Sequence, residues 1–320
     1  MADNYKKKKE EESLNYLSQN FLENGADNMA PVPPSDALGF LNNNVPSNEF
    51  VVVPLDILPC GAFYKLGTKI SIRSAKVQEV QAYSVVDDNN YLDIAEKMNE
   101  ILSSCVRYIH SNGTIGSYKD LRDGDRLFLV FMIRELTFPG GKNLSKEVTC
   151  EHCHHEFKIE FRATASSTAR KTFVNYSMPE KLNKYFDKTE RVYAIRVDEV
   201  EYKMAPPTVG IQETFFSDMK SKVLAEMKPN VSFLKISSFL LHDRSKITDE
   251  GIKAKEQEFK RMDMKTFQVL NAAANLMVFG IQELKTICPS CGLEVRTNMS
   301  FPDGASSLFI PKEVLSEYFE

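Results

Sequence analysis

The sequence predicts an α+β fold in which an N-terminal β/α domain precedes two distant Cys-x-x-Cys knuckles that enclose a mainly helical excursion. The first observation is the knuckles themselves, Cys150–Cys153 and Cys288–Cys291, each followed directly by an alternating, strand-like segment. The second is the pattern of residues 50–145, which begins with alternating apolar positions and changes to helical spacing. The third is a set of apolar helical stripes between the knuckles.

The two knuckles predict one tetrahedral metal site. Two thiolates held at this spacing in a tight turn leave room for one ion, and a second such turn completes a four-sulfur shell. We therefore predict a structural zinc ion in a split zinc-ribbon-like element. Its ligands are Cys150, Cys153, Cys288 and Cys291. Closed four-sulfur sites usually support folding, and the sequence alone does not separate zinc from iron.

A four-cysteine zinc site has three alternatives: a disulfide framework, a redox motif, and a zinc site with a histidine ligand. A disulfide framework requires an oxidising compartment, and the N-terminus, which contains Lys6–Lys9, does not resemble a signal peptide. A thioredoxin-like redox motif would lie between a strand and a helix, unlike either knuckle. A zinc site in which a histidine replaces one cysteine ligand stays open, because His152, His154 and His155 crowd the first knuckle. The matched turns favour four cysteines, with the histidines facing solvent or lying beside the ligands.

The composition is that of an ordinary globular protein. Of 320 residues, 42% are hydrophobic and 26% are charged, and the net charge is −4. A general nucleic-acid binder would need a concentrated basic face instead. No apolar run is long enough to span a membrane, so we expect a soluble protein. The two remaining cysteines, Cys60 and Cys105, are expected in the core.

Residues 1–49 are predicted to form a disordered arm. The block Lys6–Lys9 followed by Glu10–Glu12 stays hydrated, and the Pro- and Asn-rich stretch after Gly25 cannot form a packed core. A short amphipathic helix lies between them, with Leu14, Leu17, Phe21 and Leu22 on one face. Two interpretations stay open: an unstructured terminus, or a tether whose helix docks on another protein.

The β/α domain is predicted at residues 50–145. Its first part contains strands near Phe50–Val53 and Lys69–Arg73. Apolar residues at helical spacing then predict a helix from Asn90 to His110. The apolar run 127–133 fits a strand or a helix, and we favour a helix capped by Asp125.

The remaining segments are the first knuckle at 146–172, the mainly helical excursion at 173–285, and the second knuckle with the C-terminal tail at 286–320. Within the excursion, a small strand pair is indicated by Phe173, Tyr176, Val192, Tyr193, Ile195 and Val197, and residues 199–204 continue the pattern. A helix capped by Thr208 follows, with an apolar stripe that starts at Ile211. Two more helices are predicted, at Val231–Leu241 and from about Ala254 to Lys285, the last leading directly into Cys288.

Several short motifs resemble the baseplate hub family of T-even-type tailed phages. Members begin with a Leu-Pro-x-x-Gly-x-x-Tyr segment and an Ile-x-Ile-Arg strand, continue through a helix, and carry one knuckle in the middle and another near the end. The matching stretches are Leu58-Pro-Cys-Gly61-Ala-Phe-Tyr64, Ile70-Ser-Ile72-Arg73, Asp125-Arg-Leu-Phe-Leu129, Arg134-Glu-Leu136-Thr-Phe138-Pro-Gly140 and Phe309-Ile310-Pro311. The similarity covers residues 54–162 and 265–312.

This resemblance implies a structural or assembly protein of a contractile phage tail, located in the virion baseplate and, during assembly, in the host cytoplasm. Its partners would be hub, tube or wedge proteins. The N-terminal arm and the longer chain depart from the family pattern. They leave open whether the protein stays in the particle or leaves after assembly.

Catalytic motifs were not found. No phosphate-binding glycine loop, nucleophile elbow or histidine-based triad is present, so we predict a non-enzymatic protein without a small-molecule substrate. The alternative function is a zinc-ribbon module that binds nucleic acid or a transcription complex. Its basic residues would be Lys142, Lys146, Lys158, Arg162, Arg170, Lys171 and Arg296. Glutamates interleave with them and weaken the field that phosphate binding requires, so nucleic acid is not the expected partner.

Overall fold

The computed structural model describes residues 49–88, 90–138, 144–161, 170–176, 178–224, 231–240, 257–299 and 305–309. The predicted arm, apart from its last residue, lies outside these ranges. The described residues mix helix and sheet, which confirms the α+β class. None of their helices combines the length and apolar character that crossing a membrane requires.

Strands and helices alternate irregularly along the chain. Short 3-10 helices occur at Leu55–Ile57, Gly61–Phe63, Tyr118–Asp120, Asp123–Asp125, Glu180–Tyr185 and Ala305–Leu308. The strands and α-helices are β1 (Val51–Val53), β2 (Lys69–Ile72), α1 (Val77–Ser84), α2 (Tyr91–Cys105), β3 (Val106–Ile109), α3 (Arg126–Thr137), β4 (Leu144–Thr149), β5 (Glu156–Phe161), β6 (Phe186–Asp187), β7 (Val192–Val197), β8 (Val200–Met204), α4 (Val209–Leu224), α5 (Val231–Leu240), α6 (Met264–Leu276), β9 (Glu283–Ile287) and β10 (Glu294–Asn298).

The chain divides into two compact units. The excursion unit contains Lys119–Asp123 and Met178–Val278. The ribbon unit contains the described parts of Pro31–Tyr118, Gly124–Ser177 and Phe279–Glu320, and therefore both knuckles.

A three-stranded antiparallel sheet, in the order β1-β2-β3, forms one part of the ribbon unit. Its residues alternate between two faces, as the pleat of a strand requires. Ile70, Ile72 and Tyr108 are buried on the inner face, whereas Lys69 and Arg107 are exposed on the outer face. This sheet and the helices α1, α2 and α3 supply much of the core of the unit.

Helix α2 is shorter than the sequence predicted. The side chain of Asn90 caps its start by accepting hydrogen bonds from the Leu92 and Asp93 N–H groups. The helix ends at Cys105, and Val106–Ile109, predicted as its last turn, is strand β3. The prediction was wrong there because Val106 and Ile109 fit the helical spacing, while pairing with β2 selects the extended conformation.

Helix α3 confirms the helical interpretation of the apolar run, but not the predicted cap. Phe128–Ile133 is buried throughout, as expected for a helix in the centre of a core. The side chain of Asp125 makes no capping hydrogen bond. Its carboxylate instead accepts from the Cys60 backbone N–H at 2.7 Å and from the Tyr64 hydroxyl at 2.6 Å. Asp125 therefore joins the start of α3 to a distant turn.

The two ends of the excursion lie side by side within the ribbon unit. Phe173 forms a β-bridge with Leu284, and the Val174 N–H donates to the Glu283 carbonyl at 2.9 Å. The predicted single helix from Ala254 to Lys285 is wrong, because the chain leaves the helix at Met262 and Asp263, α6 spans only Met264–Leu276, and Glu283–Ile287 is strand β9. Gly280, with φ of 100°, has a backbone conformation that cannot continue a helix.

The excursion unit contains the sheet β6-β7-β8 and helices α4, α5 and α6. The predicted pair is confirmed for Val192–Val197 and Val200–Met204, which form β7 and β8. The prediction was wrong for Phe173 and Tyr176, which lie in the ribbon unit, where Phe173 bridges Leu284. The predicted cap is also confirmed, because the Thr208 hydroxyl accepts from the Ile211 N–H at 3.3 Å. Ile211, Phe215 and Met219 are buried along one face of α4, as their spacing predicted.

Candidate metal centre

Each knuckle is the loop of an antiparallel hairpin. In the first hairpin, β4 pairs with β5, and the last pair before the loop is Thr149 with Glu156. In the second, β9 pairs with β10, and the corresponding pair is Ile287 with Glu294. The loops 150–155 and 288–293 are therefore equal in length and start at the same point of the ladder.

The backbones of the two loops follow the same hydrogen-bond pattern. In each loop, the N–H of the first cysteine donates to the carbonyl of the fifth residue after it. The carbonyl of the same cysteine accepts from the N–H of the fourth residue after it. The four bonds are Cys150 N–H to His155 O (3.0 Å), His154 N–H to Cys150 O (2.9 Å), Cys288 N–H to Leu293 O (2.9 Å) and Gly292 N–H to Cys288 O (2.9 Å). These bonds close each loop and orient both of its thiols to the same side.

The four thiol sulfurs form a cluster in which every Sγ atom lies within 4.8 Å of the others. The Sγ atoms of Cys150 and Cys291 are 3.7 Å apart, and those of Cys153 and Cys288 are also 3.7 Å apart. A tetrahedral zinc site with Zn–S bonds of about 2.3 Å has sulfur–sulfur edges of about 3.8 Å. A disulfide requires about 2.05 Å, and all four cysteines are free. The cluster can therefore bind a metal ion.

One side of the cluster faces the core and the other faces solvent. Cys150 is 0% exposed and Cys288 is 1% exposed. Cys153 is exposed, and Cys291 also has access to solvent. Each loop thus contributes one buried and one accessible thiol, which leaves a path by which an ion could enter.

The loop backbone favours thiolates at two of the four positions. Burial raises the pKa of Cys150, but the N–H groups of Cys153 and His152 and the neighbouring thiols lower it below its usual value. The same balance lowers the pKa of Cys288 to about 7. At Cys291 the Leu293 N–H favours the thiolate, yet burial and the other thiols raise its pKa to about 12. Metal binding would have to displace that proton.

The histidines of the first knuckle do not join the cluster. His152, His154 and His155 are all exposed, and within the described residues the group of possible ligand atoms contains only the four cysteines. The ring of His155 stacks on Phe157, and its carbonyl accepts from Cys150. The ligand exchange considered from the sequence therefore has no support in the structure.

Both hairpins are anchored to the same core. The ring of Phe161, at the end of β5, contacts Phe131 of α3 and Phe173 at centroid distances of 6.0 and 6.1 Å. Phe173 in turn forms a bridge with Leu284 of β9. The Lys146 ammonium of β4 also donates to the Asn298 carbonyl of β10. The two halves of the metal centre are thus positioned by shared packing as well as by their loops.

Strands β4 and β9, which precede the two knuckles, are the parts of the centre that the sequence prediction missed. A signal for β9 was present, because apolar Leu284 stands between charged Glu283 and Lys285, as in the alternation of a strand. The remaining cysteines agree with the prediction, since both Cys60 and Cys105 are buried outside the cluster.

The chain was compared with protein-family models, with curated proteins and with solved structures, and none of the three comparisons found a match. The resemblance to phage baseplate hub proteins therefore stays a prediction from short motifs.

Proposed function

We propose that the four cysteines hold one structural zinc ion and that the protein is a non-enzymatic structural or assembly component of a contractile phage tail baseplate, in its hub region. The single observation that carries the zinc assignment is the matching geometry of the two knuckles, which bring four thiol sulfurs within 4.8 Å of one another.

A four-thiol set supports zinc in a structural role. Thiolates suit zinc and iron–sulfur centres rather than hard cations such as Mg²⁺. With four protein ligands the shell is closed, which leaves no position for an activated water or a substrate. The ligands come from two hairpins that are distant in sequence, so the free energy of metal binding stabilises the fold of the ribbon unit.

The baseplate role rests on the motifs, and the structure shows what several of them contact. Tyr64, from the Leu-Pro-x-x-Gly-x-x-Tyr segment, donates to Asp125, the first residue of the Asp-Arg-Leu-Phe-Leu stretch. Arg134, which starts the third motif, donates through Nε to the Leu308 carbonyl at 2.8 Å. Phe309, of the C-terminal motif, packs edge-on against Tyr83. The segments that resemble the family thus contact one another or pack into the same core.

The zinc assignment is tested by metal analysis of the purified full chain beside Cys150→Ser and Cys288→Ser. We expect one zinc per chain, lost in both variants, with loss of cooperative unfolding after chelation. Cys105→Ser is the matched control, because Cys105 is a buried cysteine outside the cluster, and it should keep the metal. Retention of metal by Cys288→Ser would show that the knuckles act separately, and iron in place of zinc would overturn the metal assignment.

The baseplate role is tested by placing an amber codon in the gene of the phage that encodes the chain. Under non-permissive conditions we expect particles without complete tails, seen by electron microscopy, and rescue by the wild-type gene supplied on a plasmid. Mass spectrometry of purified virions would then show whether the protein stays in the particle. Normal infectious particles from the amber mutant would exclude the hub role.

Nucleic-acid binding is less well supported as the alternative. Two basic side chains of the hairpins form ion pairs with glutamates on their own hairpin. The Lys158 Nζ atom lies 3.5 Å from Glu147 Oε1, and the Arg296 Nε atom lies 2.8 Å from Glu294 Oε1. Pairing of this kind cancels much of the positive field that phosphates require. Retention of DNA or RNA that weakens steeply with added salt would favour the alternative.

A further inference from the structure

A positively charged recess lies on the ribbon unit, apart from the metal centre. It has a volume of about 510 Å³, within the range of about 300 to 1,000 Å³ that is usual for ligand sites. The residues that line it include three cations and two hydroxyls but no carboxylate. They are Phe50, Arg73, Lys76, Ser103, Ser104 and Arg107, together with Val106.

Arg73 is the fixed wall of the recess. Its guanidinium donates to both carboxylate oxygens of Glu79, at 2.5 and 2.9 Å, and to the Ser104 carbonyl at 2.9 Å. Its charge is therefore largely neutralised, and its side chain is only 10% exposed. Arg73 shapes the site, while the charge available to a ligand comes from elsewhere.

Arg107 and Lys76 supply that charge. Both residues are exposed, and within the described part of the chain no carboxylate forms an ion pair with either of them. The Arg107 guanidinium carbon lies 3.9 Å from the centre of the Phe50 ring. Stacking on an aromatic ring covers the face of a guanidinium and leaves its in-plane N–H groups available, the geometry that binds a carboxylate through two parallel hydrogen bonds.

We propose that this recess binds an acidic peptide segment of a neighbouring protein, with one carboxylate on the Arg107 fork and another near the Lys76 ammonium. The proposal rests on the proposed function, because it names the chemistry of a partner in assembly. The hydroxyls of Ser103 and Ser104 can donate to the same carboxylates. Phe50 and Val106 offer apolar surface to the methylene groups of a glutamate.

An acidic peptide fits the charge of the recess better than a nucleic-acid strand does. Two unpaired cations match two carboxylates, whereas tracking a phosphate backbone requires a longer basic surface. The Arg107 guanidinium can bind one planar carboxylate through two parallel hydrogen bonds, so specificity for the peptide does not require an extended positive field.

The test is fluorescence polarisation with the full, metal-loaded chain and a fluorescein-labelled peptide of six alternating Asp and Glu residues. We expect saturable binding, weakened about fivefold or more by Arg107→Gln and by Lys76→Gln, and further by the double variant. Arg107→Lys should weaken binding nearly as much as Arg107→Gln, because it keeps the charge but loses the planar fork. The matching peptide of Asn and Gln should not bind.

Lys69→Gln is the matched control, because Lys69 is an exposed cation of the same sheet that does not line the recess. Equal weakening by Lys69→Gln, full binding by Arg107→Gln, or absence of binding to the wild-type chain would each overturn the proposal. Stronger binding of a labelled oligothymidine, or displacement of the peptide by millimolar inorganic phosphate, would also overturn it. Zinc content and circular dichroism, measured on every variant, separate failure of this site from failure of the metal centre.

Discussion

His154 and Gly292 occupy the same position in the two knuckles. Each is the residue directly after the second cysteine of its loop, and each has a left-handed backbone, with φ of 57° for His154 and 74° for Gly292. Each N–H donates at 2.9 Å to the carbonyl of the first cysteine of its own loop. The role of His154 in the knuckle is therefore one of backbone conformation, and a side chain is present there at a conformational cost.

His154→Gly is expected to stabilise the metal-loaded protein by about 0.5 kcal/mol. The left-handed conformation costs a residue with a Cβ about 1 kcal/mol or more, part of which is offset by the greater freedom of glycine in the unfolded chain. Urea denaturation at constant zinc would measure the change. The zinc content should stay the same, and its loss would mean that the imidazole is a ligand.

The reverse exchange, Gly292→His, is expected to destabilise the protein by about 1 kcal/mol. A Cβ at Gly292 would meet no atom within 4 Å, so the cost comes from the backbone conformation and not from a clash. No change in the free energy of unfolding would show that the loops differ energetically despite their matching geometry.

Gly280→Ala is expected to destabilise the ribbon unit by about 3 kcal/mol or more, because it combines strain with overlap. Gly280 has φ of 100°, and a Cβ there would lie 2.4 Å from the Gly124 carbonyl oxygen. Gly113→Ala is the matched control, since Gly113 has φ of 85° but nothing within 4 Å of an added Cβ. It should cost about 1 kcal/mol. Equal losses in thermal or urea denaturation would contradict the close approach of Gly280 to Gly124.

Glu79→Gln is expected to cost about 2 kcal/mol at pH 7, measured by urea denaturation. Hydrogen bonds from Arg73, opposed in part by burial, lower the pKa of Glu79 to about 2, below its ordinary value of 4.5. A carboxylate with a lowered pKa stabilises the fold above the unfolded value, and that contribution is lost as the pH falls from about 4.5 to about 2. The difference between wild type and variant should therefore shrink over that interval.

Glu100→Gln provides the comparison for Glu79→Gln. Glu100 pairs with Lys97 at 3.0 Å on the surface, where its side chain is 54% exposed. Exposed pairs of this kind contribute about 0.5 kcal/mol or less, so the variant should be close to wild type at every pH. A loss as large as that of Glu79→Gln would show that general surface charge, and not the Arg73 pair, sets the acid sensitivity.

Asp125→Asn is expected to destabilise the protein by about 2 to 3 kcal/mol. Asp125 is 0% exposed, and its two carboxylate oxygens accept from different donors, the Cys60 N–H and the Tyr64 hydroxyl. An amide keeps one acceptor, for the Cys60 N–H, and turns a donor towards the Tyr64 hydroxyl, whose own O–H then loses its buried acceptor. Tyr64→Phe removes one donor only and should cost about 1 kcal/mol. An Asp125→Asn variant as stable as wild type in calorimetry would contradict this arrangement.

The features that the sequence predicted correctly are those with a local signal. Cys-x-x-Cys spacing and the alternating segments after it indicated the knuckles, and the Thr208 cap with its apolar stripe indicated α4. The incorrect helix ends arose where two periods overlap. Val106 and Ile109 fit a helical stripe, whereas Val106 and Tyr108 fit the alternation of a strand, and only pairing with β2 decides between them.

Long-range polar contacts could not be predicted in the same way. Asp125 precedes a helix, which made a cap the local expectation, but its partner Cys60 lies 65 positions away in the chain. The recess likewise depends on residues just before β1, between β2 and α1, at the end of α2 and in β3, which no motif connects. Such sites follow from tertiary packing, on which a single sequence carries little direct information.

The split of the metal centre between distant knuckles has a consequence during translation. Cys150 and Cys291 are 141 positions apart. At about 5 to 20 residues per second, the ribosome completes the second knuckle roughly 7 to 30 s after the first. Throughout that interval the nascent chain presents two thiols of an incomplete site, open to oxidation or to pairing with the half-site of another chain. These thiols must therefore stay reduced until synthesis is almost finished, when a metal ion can be bound by both halves together.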